Sequence, residues 1–345
     1  MQDRCMPFKL KKIKLNFYKN IKYYQLIGLI LFCITFLVAC GDNKKERILK
    51  SEKIVYESNP ENAQIITSDI ELFWKAYDKV MKDTISIAFK EEYIEKGSPG
   101  VLSFIPNKRI VSAEALKELV LSERKYYDNI RNSSLKSLNY EKQIRSTYYA
   151  LKHLYPKAEF PPLYFIIGRT TSGATATESG LVVGIEVFSD TLYKTTYGRP
   201  SLDLDLLPYI VAHEIIHFLQ IDNDLDDSLL KKCIREGSAD FISELTSGEK
   251  TKLMNGNDVY PYGNEHEEDL WNEFKIVMHS KEESPWLYSQ TSDSRPQNLG
   301  YWMGYKIVKS YYDKALDKKK AIDDIINIKD YQAFFKSSEY GQKFE

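Results

Sequence analysis

The stretch LLPYIVAHEIIHFLQ (206–220) constrains this chain more than any other, because the fold has to carry it as a helix. Its apolar residues recur at helical spacing and frame His213-Glu214-Ile215-Ile216-His217, an HExxH pattern. Positions 213 and 217 are i and i+4 on one helix face, so both imidazoles can bind a single Zn2+. Glu214 projects beside them, placed to take a proton from a metal-bound water rather than to bind the ion.

A second helix completes the pattern. In Arg235-Glu236-Gly237-Ser238-Ala239-Asp240, Glu236 stands nineteen residues after His217, a gap that lets one helix end, a polar loop (Asp222 to Asp227) turn, and another return. Glu236 can then supply the third ligand and leave one coordination position for water, as a catalytic zinc site requires. Asp240 lies one turn further along the same face, where it can accept a hydrogen bond from the other ring nitrogen of His213. The small residues Gly237 and Ala239 allow the two helices to approach closely. The expected cofactor is one Zn2+ per chain.

The N-terminus reads as an address. Residues 1–25 carry seven Lys or Arg against one acid, and LIGLILFCITFLVA (26–39) is an uncharged apolar run too short for a span of about twenty residues. It ends in Leu37-Val38-Ala39-Cys40, which resembles the bacterial lipobox. Residues 1–39 are therefore expected to be a lipoprotein signal peptide, with Met1 or Met6 as the start, and Cys40 the lipidated residue. Of 48 basic and 49 acidic side chains, seven and one lie before Cys40, leaving 41 against 48 and a mature charge of −7. That balance, with no basic patch interleaved with aromatics, argues against a nucleic-acid partner. Cys233 is the other cysteine of the mature chain, so no internal disulfide forms.

Residues 40–62 are polar and rich in Lys and Glu, and read as a flexible tether. Ser68-x-x-Glu71 reads as a capping box followed by Ile70, Phe73, Trp74, Tyr77, Val80 and Met81 at helical spacing, and further helices are expected near 84–96, 112–131 and 138–154. Short β-rich runs follow at 163–167 and 181–188, separated by a Ser/Thr/Gly turn at 170–180. Beyond the helices at 204–220 and 227–247 comes an aromatic loop region, Tyr260 to Trp286, then helices at 299–314, 318–327 and 330–337. The fold class is α+β, predominantly helical, with a small β-sheet and an active-site helix pair. The mature chain divides into an N-terminal helical region (63–160) and a metal-bearing region with C-terminal helices (161–345), or forms one domain over 63–345.

HExxH followed by ExxxD resembles the gluzincin metallopeptidases. The metzincin pattern is absent, with Gln220 and Asn223 where it needs Gly and His. More closely, the chain is similar to the zinc-dependent protease lipoproteins of the bacterial gliding-motility-lipoprotein-related type. The stretches that carry this are FWKAYDKV (73–80), EYIEKGSPG (92–100), FPPLYFIIGR (160–169), GLVVGIEVF (180–188), IVAHEIIHFLQ (210–220), EGSADFISEL (236–245) and GYWMGYKIV (300–308). The resemblance implies a zincin-like core and a membrane-anchored metallopeptidase, with His213, His217 and Glu236 on zinc and Glu214 as general base. Its oxyanion would need a donor from downstream, for which Tyr301, His266, Tyr305, Tyr260 and Tyr262 are candidates. The strand at 181–188 is either an edge that pairs with substrate or an interior strand. Expected partners are a peptide or protein substrate, the membrane through Cys40, and other envelope proteins, with the domain facing periplasm or cell surface. The alternative is a non-enzymatic envelope lipoprotein of a motility or secretion assembly with a vestigial or structural zinc site. Hydrolysis of a non-peptide bond is a third reading.

Overall fold

A 3-10 turn, Leu204–Leu206, leads into the HExxH helix, and Asp203 caps that turn by accepting from the Asp205 N–H. Pro208 then fits the first turn of the helix, where no intrahelical donor is needed. In this computed structural model residues 56–345 are described, apart from 107, 172, 192, 195–200, 221–225, 249–258 and 289–294. The expected signal peptide, Cys40 and the turn at 222–225 lie outside the described residues.

In chain order the described elements begin with β1 (Ile65–Ile66), α1 (Ser68–Lys82), α2 (Pro99–Ser103), α3 (Ala113–Ser122), α4 (Arg124–Lys136) and α5 (Glu141–Leu154). Next come β2 (Leu163–Ile166), β3 (Ala174–Thr177), β4 (Gly180–Gly184), β5 (Phe188–Ser189) and β6 (Leu202–Asp203). The rest is helical: α6 (Leu207–Leu219), α7 (Leu229–Ser247), α8 (Val259–Glu265), α9 (Glu267–Val277), α10 (Leu299–Lys314), α11 (Lys318–Ile326) and α12 (Tyr331–Ser338). The α+β, mostly helical class is as expected.

One sheet has the order β1-β2-β4-β3, with β2 parallel to β1 and β4, and β3 antiparallel to β4. Every residue of β2 and β4 is buried, as central strands covered on both faces require. The run 181–188 is thus interior, and it stops being a strand at Gly184, where a 3-10 turn intervenes before β5. The stretch 170–180, expected to be only a turn, contains the edge strand β3. Its sequence Ala-Thr-Ala-Thr has no bulky apolar face, so it signals strand weakly.

Other departures have local causes. The Ser68-x-x-Glu71 box does not form, since Thr67 is the N-cap residue and makes no side-chain cap. Asp69 turns inward instead and accepts from the Ser98 backbone and hydroxyl. Residues 89–94 form a π-helical turn rather than part of a long helix, and Glu123 separates α3 from α4. The aromatic region 260–286 holds the helices α8 and α9. Residues 56–62 do not behave as tether: Glu57 bridges Phe160, and the Arg145 guanidinium donates to the carbonyls of Pro60, Glu61 and Ala63. The helical and metal-bearing regions belong to one compact unit spanning 54–345.

The core joins α1 to the sheet through aromatic rings. Phe73 packs against Trp74, Phe89, Tyr93 and Tyr127 at centroid distances of 5.0, 5.3, 5.3 and 5.9 Å. Burying one such ring stabilises by about 2–3 kcal/mol. Two of them also hold the loop after β2, because Tyr93 donates to the Ile167 carbonyl at 2.6 Å and Tyr127 to the Gly168 carbonyl at 2.8 Å.

Candidate metal centre

Helix α7 begins where Ser228 accepts from the Lys231 N–H and ends at Gly248 in the left-handed region (φ +75). It packs on α6 along one side and on α10 along another. On the α10 side the contact is backbone to backbone. A Cβ on Gly304 would sit 1.7 Å from the Cys233 carbonyl oxygen, and one on Gly237 would sit 2.0 Å from the Tyr305 nitrogen. Gly237 therefore serves the α7–α10 crossing, not the approach of α7 to α6 expected from its small size. Gly300 also faces α7, with the Cys233 sulfur 2.8 Å from its added Cβ.

Fixed from both sides, α7 delivers Glu236 to the two imidazoles. His217 Nε2 lies 3.0 Å from His213 Nε2 and 3.1 Å from Glu236 Oε2, and His213 Nε2 lies 3.4 Å from the same oxygen. Two nitrogens and a carboxylate oxygen are a donor set suited to zinc. Bonds of about 2.0–2.1 Å in a tetrahedron separate ligand atoms by about 3.3 Å, so the three atoms have the spacing of one tetrahedral face. These three residues are the metal-competent group found among the described residues.

Each ligand is held from behind. His213 is 2% exposed, and its Nδ1–H donates to Asp240 Oδ1 at 2.9 Å, which leaves Nε2 free for a cation. Asp240, 0% exposed, accepts also from Tyr209 (2.8 Å) and Tyr260 (3.0 Å). His217 Nδ1 donates to Gln220 Oε1 at 3.0 Å, and the Gln220 amide donates to the Arg235 carbonyl at 3.0 Å. The remaining oxygen of Glu236 accepts from the Tyr288 hydroxyl at 2.8 Å. Burial opposes charge on His213, but the bonded Asp240 and Glu236 carboxylates outweigh it and raise its pKa to about 10. Burial likewise disfavours an ionised Glu236, yet His217 and His213 hold its carboxyl well below the usual range. The field that draws a proton to this point draws a cation as well.

The other expected residues fall in different places. Glu214 is half-buried and makes no hydrogen bond or ion pair among the described residues, though its charge acts on the Arg109 guanidinium. The Tyr301 ring stacks on His213 (centroids 6.3 Å apart, planes 19°) and meets the Tyr288 ring edge-on at 6.5 Å. Tyr260 is engaged with Asp240, and Tyr305 donates to Glu244 Oε2 at 3.1 Å. His266 stacks on Tyr262 (4.1 Å), and its Nδ1 donates to the Tyr262 carbonyl. His279 bonds Gln332 on the surface, His153 is exposed, and Cys233 is buried as a free thiol. Sequence reasoning did not single out Tyr288, Tyr209 or the role of Gln220. Gln220 alone had a local signal, since it sits three residues after His217 on the same side of the helix.

Residues 56–342 match the family model described as gliding motility protein GldB. The chain belongs to this family of gliding-motility lipoproteins. The gliding-motility part of the resemblance read from the sequence thus holds, whereas the match carries no protease assignment. No curated protein and no solved structure matches the chain. Among the described residues no helix is long and apolar enough to cross a membrane.

Proposed function

We propose that this GldB-family chain is a zinc-binding lipoprotein of the gliding-motility envelope machinery whose zinc centre hydrolyses peptide bonds. Family membership supports an envelope role with protein partners, and Cys40 offers the lipid anchor. The hydrolytic part rests on one observation: three donor atoms at tetrahedral spacing, with Glu214 next to His213 in the chain and making no hydrogen bond or ion pair among the described residues. A structural zinc site closes with four protein ligands, whereas a catalytic one has three. The helix pair and small sheet fit a zincin-like core.

Bound by His213, His217 and Glu236, zinc supplies Lewis acidity toward the scissile carbonyl and lowers the pKa of water. Glu214 takes a proton from the attacking water and returns it to the leaving amine. Asp240 and Gln220 keep the two imidazoles in the tautomer that presents Nε2. Tyr288 fixes the carboxylate plane of Glu236, and the Tyr301 ring packs on both Tyr288 and His213. β3, the sheet edge beside α6, is the strand to which an extended peptide can add.

The family match favours a second reading, a non-enzymatic motility lipoprotein whose metal centre serves structure. Peptide-library cleavage by the zinc-loaded mature chain and its Glu214→Gln variant separates the two. Hydrolysis requires cleavage by the wild type and a loss of about 10²-fold or more in the variant at equal zinc content. Zinc without cleavage in both proteins would leave the structural role.

A further inference from the structure

The segment between α9 and α10 changes character over three residues. Trp286 and Leu287 are 2% and 1% exposed, whereas Tyr288 is 62% exposed. The buried pair fixes the segment on α10: the Trp286 carbonyl accepts from the Gly300 N–H at 2.9 Å, and a Cβ on Gly300 would sit 2.7 Å from Leu287 Cδ2. Tyr288 then takes φ +56, a left-handed backbone that costs a residue other than glycine about 1 kcal/mol or more. Its N–H donates to Asn298 Oδ1 at 2.9 Å, and Asn298, the N-cap residue of α10, is itself left-handed at φ +62. The Tyr288 ring meets Tyr301 edge-on, and its hydroxyl reaches Glu236 Oε1 at 2.8 Å. An exposed ring gains little from such a backbone. What the conformation delivers is the hydroxyl at Glu236.

Glu236 therefore divides its two oxygens. Oε2 faces the imidazoles, 3.1 Å from His217 Nε2 and 3.4 Å from His213 Nε2, and Oε1 is taken by the phenol. A carboxylate with both oxygens free can chelate a cation and raise its coordination number, as carboxylates do on calcium. A carboxylate whose plane is fixed by a hydrogen bond to the second oxygen offers the ion one oxygen only. Two ring nitrogens and one oxygen then suit an ion that takes four ligands in a tetrahedron, with the fourth position left for water. Imidazole donors favour zinc or cobalt over ions that prefer a shell of six oxygens.

We propose that Tyr288 is a positioning residue that holds Glu236 to one oxygen on the metal and so selects an ion of tetrahedral preference with one position open. The proposal deepens the zinc reading and rests on it for the presence of a metal. Tyr288 acts through Glu236 and touches none of the reacting atoms. Without its hydroxyl, Oε1 is released, the carboxylate turns to chelate, and the coordination number rises. Asn298 supports the same hydroxyl at one remove, because it holds the backbone that aims it. A glycine at 298 would keep the left-handed backbone and lose the side-chain acceptor.

Cobalt(II) loaded into the mature chain in place of zinc tests this, because its visible absorption is intense in a tetrahedral site and weakens as the coordination number rises. The wild type should show the intense bands, and Tyr288→Phe at equal cobalt content should lose about half of that intensity or more. The phenylalanine ring keeps the edge-on contact with Tyr301, so the hydroxyl is what the substitution removes. Asn298→Gly should shift the spectrum in the same direction and by less. The ratio of zinc to manganese(II) affinity, from competition with a chelating dye, should fall about tenfold in Tyr288→Phe. A cobalt spectrum that Tyr288→Phe leaves unchanged overturns the proposal, whatever the affinities do. Weak bands in the wild type at full cobalt occupancy overturn it as well, and leave the metal reading standing. A wild type that takes up neither cobalt nor zinc removes the metal reading and this proposal together.

Discussion

Asp240 carries the centre from behind its ligands. A buried carboxylate is costly to desolvate, and here three donors, from His213, Tyr209 and Tyr260, compensate that cost. Its position was legible in the sequence because four residues along a helix fix a direction. Tyr288 was not, because nothing local ties position 288 to position 236; only the folded chain brings that phenol to Glu236. Glu186 shows the opposite balance, with one oxygen served and one orphaned. Burial raises its pKa from 4.5 to about 7, so the folded state binds the proton more tightly than the unfolded one. The stabilisation this gives is complete below pH 4.5 and lost as pH rises through about 7, an amount of about 3 kcal/mol. Urea unfolding at pH 4.5 and 7.5 should show that fall in the wild type relative to Glu186→Gln, whose stability lacks this component. Parallel pH profiles for the two proteins would contradict the assignment.

At the scale of elements, α7 does two jobs on two sides. One side presents Glu236 to α6, and the other lets α10 approach until Gly304 meets the Cys233 carbonyl. Helix propensity alone would make Gly304→Ala stabilising by about 1 kcal/mol. The 1.7 Å contact with backbone reverses that sign, and the substitution should cost about 2 kcal/mol or more in chemical denaturation. An unchanged or higher denaturation midpoint would show that the crossing is looser than described. The helices around the centre were legible because periodicity, capping residues and the glycine after α7 agree with one another. β3 was not, since small alternating residues at an edge gain most of their order from pairing with β4. Nor were α8 and α9, where closely spaced aromatics and a proline mask the helical period.

Over the whole molecule, one compact unit joins the N-terminal helices, the sheet and the helices of the candidate metal centre, and residues 56–62 are stitched onto it. Family membership assigns that unit to gliding motility, and the geometry adds a metal-competent centre within it. The basic N-terminal segment and the acidic remainder, hidden in a net charge of −1, fit the lipoprotein family to which the chain belongs. Everything proposed for its chemistry depends on the cation. The most direct measurement is the zinc content of the purified mature chain beside Glu214→Gln and His217→Ala. The account predicts about one zinc per chain in the wild type and in Glu214→Gln, and almost none in His217→Ala. A wild type without zinc, or a His217→Ala protein that retains it in full, would contradict the account.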